Sequence, residues 1–454
     1  MLSPKKTVRY YYWVAVEFTK KHLRLILLSF LLSFIFVIGI ISLSPYFANF
    51  LASRREVIGL VGQYNFNNLP DEILSKISNG LVYIDEKGEI IPLLSTSWEV
   101  RDNNKIYRFH LRDGLTWNDG KPFSASQIDY QFKDVQTKAI DDKTVDFILK
   151  KPLGIFPTYL SKVLIRYPLI GVAGLYRVGD VKTQYGNITA ISLEPNKNDI
   201  PVITYKFYSN ESDLITAYKK GEVTQISTTK KSVADTFSNW KNTKVVKAID
   251  YTRLMTLFFN LNNSFLNNKD VRNAISSSID LSKFTGDGEI AKGPIPPTSW
   301  AYNPNLKTPI FDPDTAAKIL RKSGSPSAST QLNLITYYDY YDIATKITNE
   351  LNAVGLKVVL NIINYDKPNN FDMLLSFWKL PPDPDQYYFW HSTQQQGNIS
   401  NYKNVKVDKL LEDGRSTIVL KDRKNIYFEF QKVLQEDSPA IFLYYPLIYT
   451  IERK

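Results

Sequence analysis

Apolar and polar positions divide the chain into an apolar block, a run of short strands and a region where strands alternate with helices. Leu25 to Leu43, LILLSFLLSFIFVIGIISL, carries no charge over nineteen residues. As a helix rising 1.5 Å per residue it spans about 28 Å, the hydrocarbon thickness of a bilayer. Pro45 to Arg55 reads as a linker, Val57 to Gly62 as a strand, and Pro70 to Asn79 as a helix stopped by Gly80. LVYID, Ile90 to Leu94, TSWEV and KIYRFHL alternate with period two between Asp, Asn and Gly breaks, the pattern of antiparallel strands, and TVDFILKKPL and ITAISLEP continue it. Between them lies LRDGLTWNDGKPFSASQIDYQF. Leu111 ends a strand, Asn118-Asp119-Gly120 forms a turn needing positive φ, and Ser124 with Gln127 three residues later forms a capping box that opens a helix. Asn210 caps a helix that runs to Lys220 and stops at Gly221.

The texture changes after Asn260. Asp270 to Asp280 is helical, and Asp312-Pro313 starts a helix ending before Gly324. Leu332 to Tyr337 reads as a strand, and Ile343, Ile347, Leu351 and Val354 share one helical face that Gly355 ends. Leu356, Val358, Leu360 and Ile362 then alternate as a strand. That is a βαβ unit and implies parallel pairing. Two lobes of different texture follow.

At 454 residues with 44% hydrophobic composition, the chain is globular and long enough for two or three domains. With no cysteine, disulfides, zinc-thiolate sites, thiol nucleophiles and a lipidated-cysteine anchor are excluded. The formal charge is +11, but Lys5, Lys6, Arg9, Lys20, Lys21 and Arg24 against Glu17 concentrate much of it ahead of the apolar block. Only Arg54 and Arg55 follow it closely, so the positive-inside rule places the N-terminus in the cytoplasm and the remainder outside. The apolar stretch exceeds a signal-peptide core, and Ser42 and Ser44 run into Pro45, so an uncleaved anchor is expected. With no basic cluster interleaved with exposed aromatics in a recognisable binding module, nucleic acid is not an expected partner.

No catalytic constellation emerges. His22, His110 and His391 have no partner at metal-ligand spacing, and there is no G-x-S-x-G elbow. Gly114 and Gly120-Lys121 are one residue too far apart for a P-loop, and Pro122 replaces the magnesium-binding hydroxyl. Gly286 to Ala291 matches a dinucleotide pattern nominally but follows no strand and reads as a loop. Asp383 and Asp385 are a carboxylate pair explicable by turn chemistry. No catalytic residue, metal or cofactor is expected.

The order of segments nevertheless resembles the family 5 extracellular solute-binding proteins, the oligopeptide-, dipeptide- and nickel-binding receptors of ABC importers. GLVGQYNF, GLVYIDEKGEIIPLLSTSWEV and Phe109 to Ile128 carry the likeness. So do DDKTVDFILKKP, Phe259-Asn260, VRNAISSSID, FDMLLSFWKLPPDPDQYYFW and NISNYKNVKVDKLL. The resemblance implies an α/β, two-lobed periplasmic-binding-protein-like fold of the class II, cluster C type, with a hinge and one preceding transmembrane helix. The implied divisions are a cytoplasmic tail 1–24, anchor 25–44, linker 45–56, lobe I 57–258 with a β-rich subdomain about 80–170, lobe II 259–438, and a return strand 439–454.

The resemblance also implies where a ligand sits: Trp378 presenting its ring to the cleft, Asn398, Asn401 and Tyr402 on the facing loop, with Asn65, Asn260, Tyr444, Tyr445, Asp383 and Asp385 as further contacts. Peptide-binding members pair an Asp three residues after that Trp with the peptide amine. Here that residue is Pro381, and Asp383 either substitutes through a loop shift or caps a turn. The segment between Asp129 and Asp141 is shorter than the family's usual helical excursion. The implied function is a monomeric, single-pass, plasma-membrane receptor with an extracellular or periplasmic binding domain, passing oligopeptides to ABC permease subunits. The alternatives are a sensor or scaffold retaining the fold, and a receptor for a metal chelate or sugar. A hydrolase built on Asp383 or Asp385 lacks a nucleophile and a histidine partner.

Overall fold

The computed structural model describes residues 4–52, 55–323, 331–364, 368 and 370–454. Arg54 of the expected linker and Gly324 lie outside these. The first helix, Pro4–Ala52, is kinked at His22 (φ −112°, ψ 16°). It continues through Ala52, so most of the segment expected as linker is helical. Its most apolar window is not buried against any other part of the chain.

A twelve-stranded sheet runs through the remainder of the described residues. Its main path is Tyr176–Gln184, Asn187–Pro195, Val202–Tyr208, Arg55–Val61, Gln225–Thr228, Ala440–Arg453, Arg253–Phe259, Met373–Lys379, Leu332–Tyr337 and Val358–Ile363. The return strand Ala440–Arg453 joins two lobes. Its second half pairs antiparallel with Thr243–Ile249, and its first half with Arg253–Phe259 and Gly288–Ile290. Pro446, which has no N–H to give a ladder, sits where the partners change. Arg253–Phe259 pairs antiparallel with Met373–Lys379 along its whole length and is preceded by the short connector Asp250-Tyr251-Thr252.

Sequence explains the layering. Arg253–Phe259, RLMTLFF, is an almost continuous apolar run, as a strand covered on both faces requires. Met255, Leu257 and Phe259 face a core with Val271, Leu320, Ile347 and Leu351. Leu254 and Phe258 face a second core with Trp378, Trp390, Leu411, Tyr427 and Phe430. Leu332–Tyr337 pairs parallel with Val358–Ile363 across the helix Tyr341–Ala353, and Gly355 takes φ +93° after that helix, the expected βαβ unit. In the first lobe Asn210 accepts from the Asp213 N–H and Gly221 is left-handed at φ 81°, as read from sequence. A separate four-stranded sheet, Ser95–Arg101, Ile106–Leu111, Thr144–Leu149 and Val135–Ala139, forms the β-rich subdomain.

Two local expectations are corrected. The capping box at Ser124 and Gln127 forms, but it closes a single 3-10 turn, Ala125–Gln127, instead of opening a longer helix. The following residues explain this: Ile128 and Tyr130 are buried while Asp129 and Gln131 are exposed, a period of two that a helix cannot satisfy. Gly288–Ile290, within the segment read as loop, is a short strand against the return strand, where a Cβ on Gly288 would lie 2.1 Å from the Tyr445 carbonyl oxygen.

Candidate functional site between the lobes

The lobes meet along a seam built from a hinge, a central loop and a distal contact. At the hinge, the Asp250 carboxylate accepts from the Thr252 N–H (3.0 Å), the Thr252 hydroxyl (2.5 Å) and Arg253 Nε (2.7 Å), while the Asp250 N–H donates to the Pro446 carbonyl (2.8 Å). Burial raises the Asp250 carboxyl, but the hydrogen bonds from Thr252 and Arg253 outweigh it and hold it below the usual carboxylate range. This network satisfies the polar groups of a short connector between the two halves of the sheet.

Next to the hinge, the Leu380 N–H donates to the Thr252 carbonyl (2.8 Å), and Lys379 Nζ reaches Asp71 Oδ2 across the seam (2.9 Å). Both of those charges are largely exposed, so this bridge contributes little. Trp378 is buried, edge-to-face with Phe389 (4.5 Å between centroids) and near Trp390 and Phe258. Its Nε1 is buried with no hydrogen-bond partner among the described residues.

The loop Pro381 to Asp385 follows. Asp383 is 5% exposed; its Oδ1 accepts from the Asp385 N–H (2.9 Å), and both oxygens accept from Arg423, at 2.9 Å from Nη1 and 2.6 Å from Nη2. Burial alone would lower the Arg423 guanidinium, but Asp383 and Tyr427 outweigh it and hold it above its ordinary value. Asp385 is set differently: burial pushes its carboxyl up, only partly opposed by Arg415, whose Nε lies 3.3 Å away. Arg415 stacks over Tyr387 (4.3 Å) and donates from Nη2 to the Tyr159 hydroxyl (2.9 Å).

Tyr159 belongs to the β-rich subdomain, so this bond crosses the seam at its distal end. Others accompany it. The Trp300 N–H donates to the Lys87 carbonyl (2.8 Å), Trp300 Nε1 to the Gly88 carbonyl (3.1 Å), the Ile155 N–H to the Arg415 carbonyl (3.1 Å) and Asn104 Nδ2 to the Ser416 carbonyl (3.2 Å). Two glycines permit the approach: a Cβ on Gly154 would lie 2.7 Å from the Ser416 oxygen, and one on Gly88, which has φ +85°, 3.1 Å from the Pro382 oxygen.

The remaining expected site residues are dispersed. Asn65 organises its own turn, accepting from the Asn67 N–H (2.9 Å). Asn260 lies at the opposite end of its strand from the seam, donating to the Phe371 carbonyl (2.9 Å) and accepting from Asn401 Nδ2 (3.1 Å). The Asn398 side chain holds the Tyr402 backbone, donating from Nδ2 to its carbonyl (2.7 Å) and accepting at Oδ1 from its N–H (3.0 Å), and the Tyr402 hydroxyl donates to Asp437 (2.7 Å). Tyr444 stacks on Phe284 (5.9 Å), and Tyr445 donates to the Gly293 carbonyl (3.1 Å). The structure therefore packs Trp378 in the second-lobe core, places Asp383 and Asp385 on the loop whose Arg415 partner reaches Tyr159, and engages Asn260, Asn398, Asn401 and Tyr402 in bonds within the second lobe.

Sequence reasoning missed Tyr159, Trp300, Arg415 and Arg423. One signal was available: Arg423, Tyr427, Phe430 and Leu434 form the buried stripe of the helix Leu420–Asp437, and a cation on such a stripe requires a carboxylate. A cavity of ≈ 450 Å³ beside Asn118, Asp119, Phe66 and Arg177 is lined by first-lobe residues only. Among the described residues no group of three or more His, Cys, Asp or Glu is placed to hold a metal ion.

Comparison with known proteins agrees with this geometry. The model of the bacterial extracellular solute-binding proteins, family 5 Middle, matches residues 89–400. The oligopeptide-binding protein AppA of Bacillus subtilis is 25% identical over 406 residues, covering 80% of this chain and 69% of that protein. The probable D,D-dipeptide-binding periplasmic protein DdpA of Escherichia coli is 25% identical over 408 residues, covering 77% and 78%. The structure of Bacillus subtilis AppA in complex with a nonapeptide superposes with TM-score 0.71 at 22% identity, over 88% of this chain and 94% of that one. That of NikZ from Campylobacter jejuni in complex with Ni(L-His) gives 0.74 at 23%, over the same shares. These likenesses establish the expected fold.

Proposed function

We propose that this chain, which belongs to the bacterial extracellular solute-binding proteins of family 5, is a membrane-anchored receptor that closes on oligopeptides between its lobes and hands them to an ABC permease. The observation that carries this reading is the double crossing at Asp250-Tyr251-Thr252 and Pro446, with seam contacts at both ends. Such a body binds by selecting the closed state, so ligand affinity contains the closing equilibrium. Among the described residues, the seam carboxylates Asp383 and Asp385 are paired with the guanidinium groups of Arg423 and Arg415. An extended peptide suits a cleft of this kind, its backbone read by hydrogen bonds and its side chains received in hydrated pockets.

Trp378 is the proposed contact. Its Nε1 costs about 1–3 kcal/mol as a buried unpaired donor, and a ligand acceptor would recover that. The peptide amine is not the proposed partner of Asp383, whose oxygens are taken by Arg423 and the Asp385 N–H. The residues from 25 to 43 hold the receptor on the outer face of the plasma membrane. The test is thermal unfolding of the full chain in detergent against a random peptide library, a nickel–histidine chelate and sugars. Saturating peptide, at about 100 times its Kd, adds about 2.7 kcal/mol. A shift with chelate or sugar and none with peptide would overturn the substrate class.

A further inference from the structure

The helix ahead of the apolar block has a face that nothing among the described residues covers. Tyr11, Val14, Ala15 and Phe18 recur at i, i+3, i+4 and i+7, one stripe of a helix, and are exposed, with Tyr11 at 66% and Phe18 at 60%. Arg9, Glu17 and Lys20 lie on the other side of the same helix, with Trp13 among them, and Lys21 flanks the stripe beside Val14. The backbone leaves helical geometry at His22, between this two-faced segment and the uniformly apolar stretch that starts at Leu25. A straight helix would carry Tyr11 and Phe18 out into water along the bilayer normal. A break at His22 allows the first segment to lie flat while the second spans.

We propose that the segment ahead of His22 docks lengthwise on the anionic phospholipid headgroups of the cytoplasmic leaflet, its Tyr11, Val14 and Phe18 face in the acyl boundary and its cations on the phosphates. Charge complementarity selects this occupant: Arg9, Lys20 and Lys21 outnumber Glu17. Continuity selects it as well, since the apolar stretch that begins three residues after the kink enters that leaflet. Tyr and Trp favour this depth because an apolar ring and a polar edge are both satisfied there. The inference rests on the anchor reading and extends it: the tail fixes the depth and tilt at which the anchor meets the surface.

The chain has no cysteine, so single labels are clean. Full-length Phe18→Cys, Glu17→Cys and Ile35→Cys carrying a nitroxide are reconstituted into vesicles of phosphatidylcholine alone and of phosphatidylcholine with phosphatidylglycerol. Accessibility to oxygen and to a water-soluble nickel chelate is then measured. In anionic vesicles the Phe18 label is expected to be shielded from the chelate several-fold more than the Glu17 label, and Lys20→Gln with Lys21→Gln to reduce that contrast to its value in neutral vesicles. Equal accessibility at both positions, with the Ile35 label shielded, overturns the docking and leaves the anchor standing. A contrast that is the same in both vesicle types overturns the anionic headgroup as partner. An Ile35 label open to the chelate overturns the anchor and the docking together.

Discussion

Replacing Asp383 by asparagine separates a structural carboxylate from a ligand-binding one. Asp383 and Arg423 are each 7% exposed at the side chain and share two hydrogen bonds of 2.9 and 2.6 Å. Asp383→Asn leaves the guanidinium buried beside Tyr427 and Trp300 without its hydrogen-bonded carboxylate, with Asp385 attracting it more weakly. Removing one partner of such a pair costs about 3–5 kcal/mol, and for a lobe of this size that is a fall in Tm on the order of 10 °C. The double variant Asp383→Asn with Arg423→Met removes the orphaned cation as well and should recover a large part of the loss. Calorimetry on the three variants measures the cycle, and isothermal titration below the transition compares free-amine peptides with their N-acetylated forms. Both peptide classes should lose affinity alike, because no oxygen of Asp383 is left for an ammonium group. An unchanged Tm with a tenfold selective loss of free-amine peptides, about 1.4 kcal/mol, would refute the argument.

At the distal contact, Tyr159→Phe deletes the acceptor of Arg415 Nη2 and should weaken closure by about 1–3 kcal/mol, read as more open molecules in small-angle scattering; unchanged scattering refutes it. Gly154→Ala puts a methyl 2.7 Å from the Ser416 oxygen and should also separate the lobes, lowering peptide affinity while leaving the subdomain folded by near-ultraviolet circular dichroism. At the hinge, the Asp250 carboxyl is held below its unfolded value, so its contribution is complete above the unfolded pKa and is lost as pH falls through the folded one. Asp250→Asn should be less stable than wild type at neutral pH and equal to it in strong acid, and a constant difference across that range would be contrary evidence. Intact-mass measurement of the natural protein should retain residues 25 to 43; a chain beginning near Ser44 would mean cleavage.

Elements whose signals are local were legible from sequence. Asn210, Gly221, Asp312-Pro313 and Gly355 each mark a helix end through the conformation or hydrogen bond that end requires, and each is found there. Ser124 and Gln127 show the limit: the cap was right, but the length of what it caps depended on the alternation of Ile128 and Tyr130 against the subdomain core. The seam was the least legible part. Tyr159 and Arg415, or Gly88 and Trp300, are distant in sequence and carry no periodicity that links them. Only the Asp383-Pro384-Asp385 turn announced itself, and its partner Arg423 could be inferred only as a cation on a buried stripe.

The same geometry separates affinity from selectivity. Tyr159–Arg415, Trp300–Gly88 and Ile155–Arg415 are bonds between protein groups, so whatever ligand occupies the cleft they contribute one fixed increment to the closing equilibrium. That increment multiplies every ligand's affinity by one factor and cancels from the ratio of any two. On the proposed reading, discrimination falls to cleft groups left unsatisfied by the protein, and the Trp378 Nε1, without a hydrogen-bond partner among the described residues, is the one proposed. On the same proposed reading Asp383, paired with Arg423 and buried, acts on the other side of this division: it holds the loop on which Asp385 and Arg415 meet Tyr159, and is proposed to set how firmly the lobes close rather than what they close on.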